Sequence, residues 1–431
     1  MENPAILSPE KCRSAENNAT MSACCGALGD LTLSNSAIII LFASMLGASD
    51  MFSMITTSLV PLLCGICIIP MAWLATKVGN KKLIVRVCSL AAIAYFVVVA
   101  SPFFGSYASI ILMTMLVFFA FCSTGYVAGW FPLLDSFLSS ERRSDYLGRM
   151  RFTWQLVTVV FLLTVGLAIG KEPPIWKLQV VLLICAVIYT GRIFFISRIP
   201  SFAGQKKEVL GFKDGLITAI ENKPLVGYSV YLFVLNLATY GTVPLVIIYL
   251  KKHLNAPDNI IVIISAATMV GMLLGSISAG RIIRRWGIKD TLLGIHILYA
   301  LVNLSIFFIG TGSNLTYVLI TVLLLIYSFT FACASVASTS EMMALATSGN
   351  KTMAMALCGA FYYGGSGLSR LISSLVMGSG MLAGEWYVGS MKICHYQTLF
   401  LIYTIAIIFA AMFLVVVPAV FPKGEYVYDV H

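Results

Sequence analysis

Charge is what this chain has least of. Only 11% of its 431 residues are Asp, Glu, Lys or Arg, against roughly 25% in soluble domains. Hydrophobic residues make up 59%, and the mean hydropathy is +0.93. That balance excludes an ordinary water-soluble globule. The surplus of positive charge, +10, does not point to nucleic acid, because Lys and Arg are scattered through short gaps with no basic domain or arm. Histidine is scarce too: His253, His296, His395 and His431 stand alone in the sequence, and His296 reads as a packed residue. There is no nucleotide-binding glycine loop, metal-ligand cluster or nucleophile–base pair. Neither cofactor nor metal is expected, and an enzyme reading has no residues to rest on. Residues 1–22 lack the apolar stretch of a signal peptide. The 11 cysteines form no disulfide pattern. Most (Cys64, Cys67, Cys88, Cys122, Cys185, Cys333 and Cys358) sit inside apolar runs and read as small buried hydrophobes.

What is present is length enough for many membrane crossings, each needing about 20 apolar residues. Twelve apolar runs lie near 24–47, 51–75, 83–101, 106–135, 152–170, 176–198, 225–250, 259–280, 290–310, 315–340, 353–380 and 395–420. The longest polar interruption, 199–224, splits them six and six. The expected layout is an all-α membrane protein: a tail at 1–23, a bundle at 24–198, a central loop at 199–224, a bundle at 225–420 and a tail at 421–431. With the N-terminus placed inside, 21 of the 28 Lys and Arg fall on inner segments. Five (Lys171, Lys177, Lys251, Lys252 and Lys392) fall on outer ones, and Arg192 and Arg370 lie within runs. The excess of positive charge inside predicts cytoplasmic termini, in a plasma membrane or, in a bacterium, the inner membrane.

One cationic turn occurs twice. WLATKVGNKKL at 73–83 and SAGRIIRRWGIKDTL at 278–292 each join two apolar runs. Gly79 matches Gly287, Lys77 matches Arg285 and Lys81 matches Lys289. The offset of 208 (287 minus 79) is close to half the chain, as in carriers built from two like halves. Both turns resemble the G-x-x-x-D-R-x-G-R-R/K loop of the major facilitator superfamily, with Ala72 and Thr76 departing in the first copy and Arg284 in the second. The run WFPLLDSFLSSERRSDYLGRMR at 130–151 is similar to a further superfamily segment, W-x-x-x-x-D…R-G-x-Y-x-G-x-R, through Trp130, Asp135, Arg143, Tyr146, Gly148 and Arg151.

The resemblance implies two six-helix bundles, pseudo-two-fold about the membrane normal, rocking around a cavity lined mainly by runs 1, 4, 7 and 10. Runs 2, 5, 8 and 11 would face the other half. It also implies an inner gate, expected at Lys77, Gly79, Lys81, Asp135, Arg143, Arg151, Arg285, Gly287, Lys289 and Glu341. Within it Asp135 is expected near Lys77 or the 142–151 arginines and Glu341 near Arg285, the alternative being interfacial carboxylates in a basic collar.

Polar groups inside spans are costly in lipid and tend to face protein or a wet cavity. Asp30 is the one carboxylate well inside a run of the first half, and it shares a helix face with Ser34. It is the candidate coupling site for H+ or Na+; the alternative is a solvated or capping residue at the inner mouth. Run 11 places Tyr362, Ser366, Ser369, Arg370 and Ser373 on one face. Arg370 is a candidate for an anionic group, against pairing with a backbone carbonyl or snorkelling. Arg192 reads as snorkelling to the inner surface. Candidate substrate-binding residues are Ser34, Asn35, Tyr126, Trp130, Asn236, Tyr240, Tyr327, Tyr362 and Arg370. Hydroxyls, an amide and aromatic faces suit a small polar solute.

The leading reading is a monomeric secondary transporter of a sugar-like solute or organic anion, with solute, coupling ion and lipid bilayer as its partners. The alternatives are an efflux carrier for amphiphiles and a non-transporting sensor. Residues 152–170 lack the G-x-x-x-G-P-x-x-G-G segment of the antiporters that the family resemblance brings in, which weighs against efflux.

Overall fold

The computed structural model describes residues 9–34, 37–135, 137–138, 140–200, 211–345 and 351–416. The first crossing is two helices, α1 (Pro9–Ser34) and α2 (Ala37–Met45). Then come α3 (Asp50–Val78), α4 (Asn80–Ala100), α5 (Ala108–Asp135), α6 (Ser140–Ile169) and α7 (Ile175–Arg198). A short helix, α8 (Phe212–Glu221), fills part of the central loop. The seventh crossing is α9 (Lys223–Thr239) followed by α10 (Thr242–Lys252). Next is α11 (Asp258–Phe307), which holds crossings eight and nine on either side of a break at Gly287. The chain continues with α12 (Asn314–Leu345) and α13 (Lys351–Ser379), then a hairpin of β1 (Glu385–Val388) and β2 (Met391–Cys394), and α14 (His395–Val416). The twelve crossings form two six-helix bundles. The side on which α1 begins is called here the N-terminal face, and the opposite side the far face.

The repeated turn is a repeated backbone conformation. Gly79 has φ 93° and ψ 131°, and Gly287 has φ 79° and ψ 165°. A side chain rarely adopts either, although nothing lies within 4 Å of where a Cβ would stand. Glycine is therefore needed at both turns for conformation and not for space. Gly79→Ala and Gly287→Ala are each expected to cost about 1–3 kcal/mol of backbone strain, read as a lower unfolding temperature of the detergent-solubilised protein.

The first helix starts well before the expected residue 24. Glu10, Lys11, Arg13, Ser14 and Asn17 cover its exposed side, while Ala15 and Ala19 are fully buried. These alanines join a cluster with Trp130, Leu133, Leu134, Tyr146 and Met150. Hydropathy hides such a helix because its buried stripe is only alanine-wide. Tyr146 Oη donates to the Glu16 carbonyl at 3.1 Å and fastens α6 to it.

The halves meet along two seams, α3 against α13 and α6 against α11, which are the crossings 2, 11, 5 and 8 expected at the interface. On the first seam the contact is backbone to backbone. A Cβ on Gly65 would stand 2.5 Å from the Gly364 nitrogen, and one on Gly367 would stand 2.4 Å from the Leu62 nitrogen. On the far face, Trp386 of the hairpin donates its indole N–H to Thr398 Oγ1 at 2.8 Å. Glu385 and Lys392 pair at 2.6 Å there, and the carboxylate raises the lysine pKa. Both groups are exposed, so the pair adds little stability.

Candidate functional site

The first half carries a charge pair whose arginine is buried and whose carboxylate is partly exposed. Arg192 of α7 is 2% exposed and donates from Nη2 to Asp30 Oδ2 of α1 at 2.6 Å. The guanidinium lies flat against α1: a Cβ on Gly26 would stand 1.6 Å from Arg192 Nε, so only glycine leaves room for it. The Tyr126 ring covers the guanidinium at 3.9 Å, and Trp130 stacks on Tyr126 at 5.2 Å. Asp30 Oδ1 and Arg192 Nε and Nη1 have no hydrogen-bond partner among the described residues. The reading of Arg192 as a snorkelling cation is thus corrected, because its counter-charge sits on the neighbouring helix. Asp30 lies inside the span, about 22 Å from the far-face end of its crossing at 1.5 Å per residue, and its side chain stays 33% exposed. Ser34 turns its hydroxyl back to the Asp30 carbonyl. Asn35 lies outside the described residues.

The second half holds a pocket. It is lined by Leu235, Asn236 and Thr239 of α9, Tyr299 of α11, Phe331, Ala334, Ser335 and Ser338 of α12, and Tyr362 of α13. Its volume of about 10 Å³ is room for a single water. Asn236 donates to the Leu232 carbonyl at 2.7 Å through one amide hydrogen. The Tyr362 hydroxyl pairs with that of Tyr240, whose ring packs on Phe331 at 5.1 Å. Tyr327 is buried beside the pocket, where it donates to the Thr239 carbonyl and packs on Tyr299 at 4.7 Å. Arg151 reaches across from the first half, close enough to Tyr362 and Tyr363 to interact electrostatically. The structure therefore gathers Asn236 and Tyr362 at the pocket, with Tyr240 and Tyr327 one layer behind. Asp30, Ser34, Tyr126 and Trp130 belong to the other half and do not line it. Tyr299, Phe331 and Ser335 were not singled out from the sequence. Ser335 and Ser338 flank one helix face at i, i+3, a spacing that was there to be read.

Arg370 is 4% exposed. It donates from Nε to the Tyr240 carbonyl at 3.1 Å and from Nη1 to the Thr57 carbonyl. Of the readings left open, this is the one with backbone carbonyls as partners. Its neighbour Ser369 accepts from Gly241 N–H at 3.0 Å, at the break between α9 and α10.

On the N-terminal face, Lys77 lies over the Trp73 ring at 3.8 Å, and Trp73 meets Phe212 of α8 at 5.9 Å. Lys81 donates to the Ile199 carbonyl at 2.6 Å, just past the end of α7. Glu341 is 3% exposed, whereas Arg285, Gly287 and Lys289 are exposed. The side chains of Asp135 and Arg143 lie outside the described residues.

Two like halves of six crossings, pressed together along glycine seams with a small pocket between helices, define a membrane transporter fold. The profile of the Major Facilitator Superfamily matches residues 20–370. The chain belongs to that superfamily of membrane transporters. Its fold is similar to that of the nucleoside transporter NupG, with TM-score 0.64 and 14% identity over 94% of this chain and 98% of that one. It is similar to the human organic anion transporter MFSD10 (TETRAN), with TM-score 0.62 and 14% identity over 95% and 100%. A bacterial homologue of the human lysosomal transporter Spinster, inward-facing and unoccupied, gives TM-score 0.64 and 13% identity over 95% and 97%. No curated protein matches the chain by sequence.

Proposed function

We propose that this protein is a secondary active transporter of a small, neutral, polar solute with a ring to stack. It works by alternating access, with residues 24–198 and 225–420 moving as two bodies and the N-terminal face in the cytoplasm. The observation that carries the substrate class is the pocket lining, which has to part for a solute to enter and offers one amide, three hydroxyl-bearing small side chains and three aromatic rings, and no charge. Aromatic faces take a sugar or base ring, and the amide and hydroxyls fix its orientation. Arg192 and Arg370 engage other groups, Asp30 for the first and two carbonyls for the second, and Arg151, the cation near Tyr362, does not line the pocket. That favours a neutral solute over an anion. A nucleoside, the class named for one similar structure, is such a solute. Asp30 is the proposed coupling residue: its side chain sits within the span, a third exposed, and its Oδ1 is buried with no hydrogen-bond partner among the described residues. Taking up a proton there removes the charge that holds Arg192. The basic turns at 73–83 and 278–292, together with Asp135, Arg143, Arg151 and Glu341, form the proposed cytoplasmic gate.

The test is a thermal-shift screen of the purified protein against nucleosides, sugars, organic anions and lipophilic cations. A ligand at 100 times its Kd stabilises by about 2.7 kcal/mol. A neutral ring-bearing solute is expected to score, with Asn236→Ala weakening it about tenfold by leaving a substrate group unpaired. A response to anions or lipophilic cations alone overturns the substrate class.

A further inference from the structure

Two hydrogen-bonded clasps join the halves on the far face, one on each seam. On the α6–α11 seam, the Asp258 N–H donates to the Lys171 carbonyl at 2.9 Å. The Asp258 carboxylate, 1% exposed, pairs with Lys251 and fixes the start of the eighth crossing. On the α3–α13 seam the clasp is Arg370. From α13 it reaches Thr57 of α3 in one half and Tyr240 at the end of α9 in the other. The levels agree. Thr57 is seven residues, about 10 Å, from the far-face end of α3, and Arg370 is nine residues, about 14 Å, from that end of α13.

We propose that Arg370 is the positioning residue of the far-face gate: its guanidinium closes the gate by stitching α3 to α9 and α13. The acceptors explain why an arginine is used. Neither carbonyl has the usual helical donor four residues on, because Pro61 and Pro244 stand there and carry no N–H. The planar guanidinium fork offers separated donors, so one buried side chain reaches carbonyls on two helices. The bond to Tyr240 also ties the gate to the pocket, since the Tyr240 hydroxyl pairs with Tyr362 in the lining. Opening toward the far face has to break the Thr57 bond, because α3 and α13 belong to different halves. It leaves the Tyr240 bond intact, because α9 and α13 belong to the same half. Arg370 is thus a hinge-side anchor in one state and a clasp in the other. This gate does not depend on the solute class proposed above.

The test is hydrogen–deuterium exchange by mass spectrometry on the full-length protein in lipid nanodiscs, without substrate. In Arg370→Ala, far-face peptides over 50–60 and 240–258 are expected to exchange at least about tenfold faster, the factor given by 1.4 kcal/mol. Peptides over the N-terminal-face turns, 73–83 and 278–292, are expected to stay the same or slow down. Arg370→Lys keeps the charge but has one donor head, and should fall between. Should the alanine variant not be recovered folded, Arg370→Gln takes its place with the same expectation. Unchanged far-face exchange overturns the proposal. An equal rise at both faces also does, because it would make Arg370 a packing residue with no preference for one state.

Discussion

Asp30→Ala is expected to cost up to about 3–5 kcal/mol, the range for breaking a fully buried ion pair, less the part that solvent at the one-third-exposed Asp30 already screens. Arg192 would keep its charge, 2% exposed, pinned between the Gly26 notch and the Tyr126 ring. Guanidinium does not lose its proton in proteins, so the site cannot relax by neutralising. The double variant Asp30→Ala/Arg192→Met removes both charges and should recover most of the loss, since apolar replacement of a whole buried pair is often neutral. Thermal unfolding in detergent reads both. A wild-type midpoint for Asp30→Ala would mean that Arg192 escapes to the surface after all. Asp30→Asn separates stability from coupling: it keeps the side-chain shape and removes the titration. Under the proposed mechanism, uptake into proteoliposomes then loses its pH dependence while solute binding persists. Uptake that keeps the wild-type pH profile removes Asp30 from the coupling role.

The crossings and their repeat were legible because hydropathy and turn chemistry report local structure. Gly79 and Gly287 could be paired from spacing alone, and both turn out to hold positive φ. The helical start at Pro9 was not legible, because alanine contributes little hydropathy and buries well only against a partner surface that lies far along the chain at Trp130 and Tyr146. Arg192 was misjudged for a related reason. Stem length was weighed against depth, which is a property of one helix, whereas its position is set by a carboxylate 162 residues away. The signal was there: Asp30 and Arg192 are the unlike charges inside spans of the same half, and burial strongly favours bringing such charges together. Arg370 had no charged partner to find: its acceptors are the Thr57 and Tyr240 carbonyls, which Pro61 and Pro244, four residues on, deprive of a helical donor. The pocket was half legible. Asn236 and Tyr362 stand out as polar groups in apolar runs, but Phe331 and Tyr299 look like any other core aromatic until helices α11 and α12 are set beside α9.

Gly367→Leu is the second large effect. A Cβ at 367 would lie 2.4 Å from Leu62 N and 2.5 Å from its Cα, and both atoms are backbone of α3. No rotamer relieves a clash with backbone, so α3 and α13 have to separate. Overpacking of this kind costs about 1–3 kcal/mol, which shifts a two-state equilibrium roughly 5- to 150-fold. The shift is directional because the clash exists only where the seam is closed. The variant should therefore depopulate the conformation seen here, and transport should fall about tenfold or more even where the protein remains folded. Gly65→Leu, which meets Gly364 at 2.5 Å from the opposite side of the seam, should behave alike. Gly294→Ala is the control, since nothing lies within 4 Å of its Cβ position and its backbone is helical. There alanine should be neutral or add about 0.4–1 kcal/mol by stiffening the unfolded chain. If Gly367→Leu transports as well as Gly294→Ala, the seam is looser than its backbone contacts imply, and alternating access does not depend on closure between α3 and α13.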